Sequence, residues 1–434
     1  MYNTRGYSII NLKYMHNKNE FPNGLRIISE NLPSTKAVTV LLLAGAGSRY
    51  ETKDISGISH FLEHMFFKGA KKYKNAKEVS EAIDGVGGEF NAFTGKEYAG
   101  YYVKVASENI EKAMDVISDM LMHARFDTTE IDKERGVILE EYNMYQDTPM
   151  YQIGWDFEKL VFGDQPLGWD QIGTPEFIKK VTQQQFRDYK SSLYSPDNMV
   201  LTLAGDITDK KALQLAEKYF KFDNVKKKFD FKPYKKHDGK DRVYLHNKKT
   251  EQAHLVIGGQ SYNEKHKDHW AEKLLAIILG GNMSSRMFMS VREARGLCYY
   301  IHTATDNFQD TGIFSTGAGI QVARIDEAVT AILAEYEKIR TEKVPQEELE
   351  KAKNFIKGKM VLSLEDSEEY AHLLGKYELL HNEIMRPEEI LKKIEEVNIE
   401  DISRVSADLL SPEKLKIGVI GPYDEKERFE KLLS

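Results

Sequence analysis

Ser195-Pro-Asp-Asn-Met-Val-Leu-Thr-Leu-Ala-Gly205-Asp and Ser411-Pro-Glu-Lys-Leu-Lys-Ile-Gly-Val-Ile-Gly421-Pro read as one phrase written twice. Each opens as a Ser-Pro loop, runs through an alternating strand and stops at a glycine turn. They lie 216 residues apart in a chain of 434, so the offset is half the molecule. Repetition at that spacing predicts one structural unit used twice. Neighbouring segments keep the offset. Glu108-Asn-Ile-Glu-Lys-Ala-Met-Asp-Val-Ile-Ser-Asp-Met-Leu and Ile325-Asp-Glu-Ala-Val-Thr-Ala-Ile-Leu-Ala-Glu-Tyr both place apolar residues at helical spacing. Strands are expected before them, at 98–105 and 311–318.

Strands, then helices, then strands in each half predict an α+β fold. It comprises two tandem homologous domains, each a mostly antiparallel sheet with helices packed on one face. The expected boundaries are 21–222 and 242–434. Residues 223–241 are highly charged and carry Pro233 and Gly239, so they read as a solvated linker. Residues 1–20 hold Arg5, Lys13 and Lys18 with no acid before Glu20, and read as a short disordered or strand-adding extension. They lack the apolar core of a signal peptide.

Composition excludes several classes. Hydrophobic residues make up 41% and charged residues 30%, as in ordinary globular chains. The net charge of −7 argues against nucleic-acid binding. No apolar run approaches the ~20 residues of a membrane span, so no membrane partner is expected. A single cysteine, Cys298, allows no internal disulfide and no cysteine-based metal site, which fits a reducing compartment.

The chemistry starts at His60-Phe-Leu-Glu-His64. Two imidazoles four residues apart stand on one helix face, where a single metal ion can bridge them. Glu63 can reach a water on that ion. The order H-x-x-E-H is the inverzincin signature. The surroundings, Phe61, Leu62, Met65, Phe66 and Phe67, are apolar, with Gly69 as a helix stop. Burying His60, Glu63 and His64 there requires a partner to offset desolvation, and a metal supplies one. Zinc needs a third protein ligand. The expected helix at 129–145 offers Glu130, Glu134, Glu140 and Glu141. Glu134 and Glu141 share a face, and Glu140 points about 100° away. Geometry alone leaves Glu140 and Glu141 as rivals. The second half has no counterpart of the His60/His64 pair. Aligning its long helix with the first pairs Ile131 with Leu349, Glu134 with Ala352 and Glu141 with Lys359.

Further motifs make a family recognisable: Asn23-Gly-Leu-Arg-Ile, Gly47-Ser-Arg-Tyr-Glu51, Asn91-Ala-Phe-Thr94, Glu134-Arg-Gly-Val-Ile-Leu-Glu-Glu141, Ser285-Arg-Met-Phe and Val291-Arg-Glu-Ala-Arg-Gly-Leu-Cys-Tyr299. From Asn23 onward the chain resembles the pitrilysin-like inverzincin zinc peptidases. The most similar branch holds mitochondrial processing peptidase beta subunits and compact bacterial zinc peptidases. The resemblance implies one Zn2+ per chain on His60, His64 and Glu141, with Glu63 as general base and Glu134 as a supporting carboxylate. It implies that Asn91, Ala92 and Phe93 form an edge strand that pairs with an extended peptide substrate. It implies that Arg292 and Tyr299 complete the active site around the substrate carbonyl, with Tyr300 an adjacent rival. The domain at 21–222 would then be catalytic, and the one at 242–434 would contribute only the Arg/Tyr pair.

The implied function is a zinc endopeptidase acting on short or unfolded peptides inside a clamp-like chamber. Both residue sets in one chain favour a homodimer over a catalytically silent homologous partner. The expected location is cytoplasmic, or the mitochondrial matrix in a eukaryote. The competing functions are a presequence-processing peptidase with a non-catalytic partner and a non-catalytic structural subunit. Intact His60, Glu63, His64 and Glu141 argue against the last.

Overall fold

The computed structural model describes residues 17–237 and 239–434, and most of the expected extension lies outside them. Asn17–Glu20 is already strand β1. With β2 (Arg26–Asn31), β3 (Ala37–Ala44), β4 (Glu89–Thr94), β5 (Ala99–Ala106) and β6 (Met199–Gly205) it forms a sheet of order β1-β2-β6-β3-β5-β4. The second sheet comprises β7 (Val243–Asn247), β8 (Gln252–Ser261), β9 (Cys298–Asn307), β10 (Gly312–Gln321) and β11 (Lys416–Gly421), in the order β7-β11-β8-β10-β9. The two orders match strand for strand once β1 is set aside. Each sheet has one parallel pair at the same place, β2 with β6 and β7 with β11, and every other pair is antiparallel. The opening phrase falls on β6 and β11, each entered through a tight Pro-led turn.

All seven residues of β6 and seven of the eight in β3 are buried. A half-buried strand would alternate between polar and apolar; these runs are covered on both faces. On one face Val40, Leu42, Leu201 and Leu203 join the core built by the domain's own helices. On the other, Leu41, Leu43, Val200 and Ala204 meet Tyr370, Ala371 and Leu374. Those three belong to Ser367–His381, a helix of the second half. The exchange is mutual. Pro149–Phe162, a helix of the first half, lays Ile153, Phe157, Leu160 and Val161 against Val256, Ile313 and Ile420 of the second sheet. Each domain's own helices therefore occupy one face, and the other half supplies one helix to the opposite face. Gly375 permits the first contact: a Cβ there would sit 2.8 Å from Thr202 Oγ1 and 3.0 Å from Leu43 Cδ1.

Burying each large apolar side chain contributes ~1.5–3 kcal/mol, so the exchanged helices are a principal bond between the domains. Phe157, 2% exposed, is the test. Phe157→Ala should cost about 3–5 kcal/mol in denaturant unfolding. A cost below ~1 kcal/mol would show that this contact carries little of the stability.

Most described residues of the linker are exposed and none is buried, but two of them hold it to the domains. Phe231 sits edge-on to Tyr50 at 5.3 Å, beneath the Arg49 guanidinium at 3.9 Å. Arg49 pairs with Glu97 and reaches Asp310 across the domain boundary at 2.5 and 2.6 Å. Asp310 also accepts the Tyr234 N–H at 2.7 Å. Among the described residues, no helix is long and apolar enough to cross a membrane.

Candidate active site

The motif helix runs from Ile58 to Phe66. Gly57 precedes it at φ +103°, where a Cβ would lie 2.6 Å from Ile172 O. The Glu51 carboxylate accepts the N–H groups of Gly57 at 2.7 Å and Ser59 at 2.9 Å, tying the helix start to the preceding loop. Burial raises the Glu51 pKa to about 7 despite those two donors. Ile58, Phe61, Leu62, Met65 and Phe66 are buried, which turns His60, Glu63 and His64 to the half-buried side.

That side faces the long helix Thr128–Asp147. Glu141 Oε1 lies 3.6 Å from His60 Nε2, and its Oε2 lies 3.6 Å from His64 Nε2. Ligand atoms from all three residues lie within 4.8 Å of one another. These separations exceed a hydrogen bond, yet they approach the ~3.3 Å expected between ligands of a tetrahedral ion with ~2.05 Å bonds. Two imidazole nitrogens and a carboxylate suit zinc, leaving a fourth position for water or substrate. Glu140 is exposed, and of the two rivals Glu141 is the one that converges with His60 and His64.

Glu134 is buried and accepts a hydrogen bond from His64 Nδ1 at 2.8 Å. Its other oxygen meets Lys68 Nζ at 2.6 Å. Burial pushes the Glu134 carboxyl up, but His64 and Lys68 outweigh it and hold the pKa below the usual range. An ionised Glu134 fixes the proton on Nδ1 and leaves Nε2 free as a donor atom, the arrangement a metal-ligating histidine requires. Glu141 is likewise lowered, with His60 and His64 overcoming its burial. Glu63 Oε2 accepts from Thr94 Oγ1 at 2.6 Å.

Thr94 ends β4, the last strand in the sheet order, which has no neighbour on its outer edge among the described residues. The Ala92 N–H donates to Asn91 Oδ1 at 2.9 Å instead of to a neighbouring strand. Phe90, Ala92 and Thr94 lie on the motif-helix side. Phe93 does not: its ring packs on Tyr98 and His372 on the opposite face, filling the space over Gly100. Only the backbone of Phe93 belongs to the edge.

Arg292 and Tyr299 meet each other, the guanidinium lying 5.8 Å from the Tyr299 ring. Tyr299 is 74% exposed. Among the described residues, neither side chain bonds to His60, Glu63, His64 or Glu141. Tyr300, the rival, is committed elsewhere, bonding His254 Nδ1 at 2.9 Å.

Sequence comparison matches residues 26–160 to the model for insulinase (peptidase family M16) and residues 180–356 to the model for the peptidase M16 inactive domain. The chain is 36% identical to a protein of Bacillus subtilis described as uncharacterized zinc protease YmxG, over 92% of this chain and 97% of that one.

The chain belongs to peptidase family M16.

Other M16 relatives include an uncharacterized zinc protease of Streptomyces coelicolor, 35% identical over 94% of this chain and 89% of its own. A crystal structure of a protease from Helicobacter pylori shares the fold with a TM-score of 0.87 at 24% identity. It covers 94% of this chain and all of that one. A crystal structure of a peptidase M16 inactive domain from Pseudomonas fluorescens does so with a TM-score of 0.86 at 18% identity, covering 95% of this chain and 99% of that one.

The inactive half of this M16 chain keeps more of the motif than its sequence suggested. Glu63 bonds Thr94, the last residue of β4, which pairs with the first residue of β5. Glu272 accepts from Asn307 Nδ2 at 2.9 Å, and Asn307 is the last residue of β9, paired with the first of β10. Glu272 lies on the helix His269–Gly280, so His269-Trp-Ala-Glu-Lys273 occupies the place of His60-Phe-Leu-Glu-His64. Lysine replaces the second histidine, and the residue aligned with Glu141 is Lys359. The string H-x-x-E-K was readable in the sequence, but only the strand contact gives it meaning. Glu51 and Thr94 were also missed as individual residues, because their roles come from hydrogen bonds across loops.

Proposed function

We propose that this chain is a zinc-dependent endopeptidase cutting short or unfolded peptides bound along β4. One observation carries the reading: His60, His64 and Glu141 converge, with Glu63 on the same helix, beside a strand whose outer edge is free. The zinc protease descriptions of the B. subtilis and S. coelicolor relatives support it. An extended peptide added to β4 gains main-chain hydrogen bonds, which tolerate many sequences. The Ala92 N–H would exchange its local bond to Asn91 for the substrate. His60, His64 and Glu141 would hold Zn2+, which supplies Lewis-acid polarisation of a peptide carbonyl and of water. Glu63, steadied by Thr94, takes the proton of the attacking water and passes it to the leaving amine. Glu134 keeps His64 in its ligating tautomer. Glu134→Gln should weaken zinc binding about 10–100-fold, measured by competition with a chromogenic chelator. Unchanged affinity would reduce Glu134 to a structural partner of Lys68.

Among the described residues, Arg292 and Tyr299 bond none of the candidate site residues of their own chain, and Tyr299 is exposed. We therefore propose a homodimer in which each copy lends this pair to the other's substrate carbonyl, where they stabilise the developing oxyanion. Arg292→Ala and Glu63→Gln should each be inactive alone. Co-refolded together they should recover cleavage well above either, because one composite site per mixed dimer is intact. No recovery would place the pair in the site of its own chain.

A further inference from the structure

Beside the Lys-bearing counterpart of the motif lies a cavity of about 220 Å³ between the two domains. Lys96 and Tyr98 line it from the first domain, Lys273, Asp306 and Asn307 from the second, and Lys376 from the exchanged helix. Most charges around it are already matched. Lys96 pairs with Glu158 at 2.9 Å, Glu97 with Arg49, and Glu264 with Lys376 at 2.8 Å and His381 at 2.9 Å. Two are not. Among the described residues, Lys273 bonds only the neutral Thr305 Oγ1, at 2.8 Å. Asp306, whose pKa burial raises against the pull of Lys273 and Lys376, closes no hydrogen bond or ion pair from its side chain among the described residues.

We propose that this cavity binds a small zwitterion, a free amino acid or a dipeptide. Its carboxylate would pair with Lys273, and its ammonium with Asp306. Charge decides the class. An unpaired ammonium and an unpaired carboxylate on one wall complement a ligand carrying both signs. A simple anion would face Asp306 uncompensated, and a simple cation would face Lys273. Size decides the length. At about 220 Å³ the space lies below the ~300–1,000 Å³ of pockets for drug-sized ligands, which suits a single amino acid or a dipeptide. Its position gives it a route to the candidate active site, because Lys96 and Tyr98 sit in the turn that follows Thr94, the residue holding Glu63. The proposal does not depend on the peptidase reading, since no metal ligand lines the cavity.

The test uses the full-length chain carrying Glu63→Gln, so that a bound dipeptide is not hydrolysed. Calorimetric titration with Ala-Ala should give saturable binding, absent for the N-acetylated, C-amidated dipeptide and for inorganic phosphate. Adding Asp306→Asn or Lys273→Met should weaken it about 10–100-fold, as expected for loss of one charged hydrogen bond. Lys273 is partly buried, so circular dichroism accompanies both variants, and the exposed Asp306 decides if Lys273→Met unfolds. No saturation at millimolar Ala-Ala, equal binding of the capped dipeptide, phosphate binding in its place, or full affinity in Asp306→Asn would each overturn the proposal. Peptidase activity of the wild type is measured separately, so a failure here leaves the active-site reading untouched.

Discussion

Glu63→Gln should lower kcat for an internally quenched peptide by about 10²–10⁴-fold, the range attributed to a positioned general base. The substitution keeps the side chain's size and its oxygen for the Thr94 hydroxyl, so the helix and the strand contact should survive. What it removes is the ability to accept a proton from water. Zinc content should therefore stay at that of the wild type, because Glu63 is not among the three converging donors. Loss of rate with retained metal separates a base from a ligand. Activity within about threefold of wild type would remove Glu63 from the chemistry, given that even a modest general base contributes ~10²-fold.

Glu141→Gln should instead release the metal. The carboxylate faces both imidazoles at 3.6 Å, and a neutral amide in its place lowers both the charge and the donor strength of the set. The loss should exceed the ~10–100-fold expected for Glu134→Gln, because Glu134 bonds His64 and is not among the three converging donors. After dialysis against a weak chelator, zinc per chain should fall from about one to near zero, and cleavage with it. A second readout is stability. Metal bound only to the native state at 1,000 times its dissociation constant adds ~4 kcal/mol, so the zinc-dependent rise in Tm should vanish in Glu141→Gln. Glu140→Gln, on the exposed side of the same helix, should behave as wild type. The reverse pattern would assign the ligand to Glu140 and contradict the geometry.

Much of this was legible in the residues. His60 and His64 announce themselves because helix periodicity alone sets them on one face. The duplicated Ser-Pro phrases located β6 and β11, and their spacing anticipated the matching strand orders. Other features depend on contacts no periodicity encodes. The runs Ala37–Ala44 and Met199–Gly205 hinted at two covered faces, but nothing local said that a helix from the other half covers the second. Residues 223–241 looked solvated from their charge, while Phe231 and Tyr234 anchor them through a ring and a backbone bond. Phe93 shares its strand with Ala92 yet faces away, as strand alternation demands. That Glu141 and not Glu140 faces the two imidazoles depends on the approach of two helices, and the kinship of Lys273 with His64 needed Asn307.

The most direct test of the account measures zinc per chain and peptide cleavage together on the same purified wild-type protein, before and after stripping with a chelator and again after adding Zn2+. The account predicts about one zinc per chain, cleavage lost when the metal is removed, and both restored by stoichiometric Zn2+. Cleavage that persists at full rate in metal-free protein would contradict it.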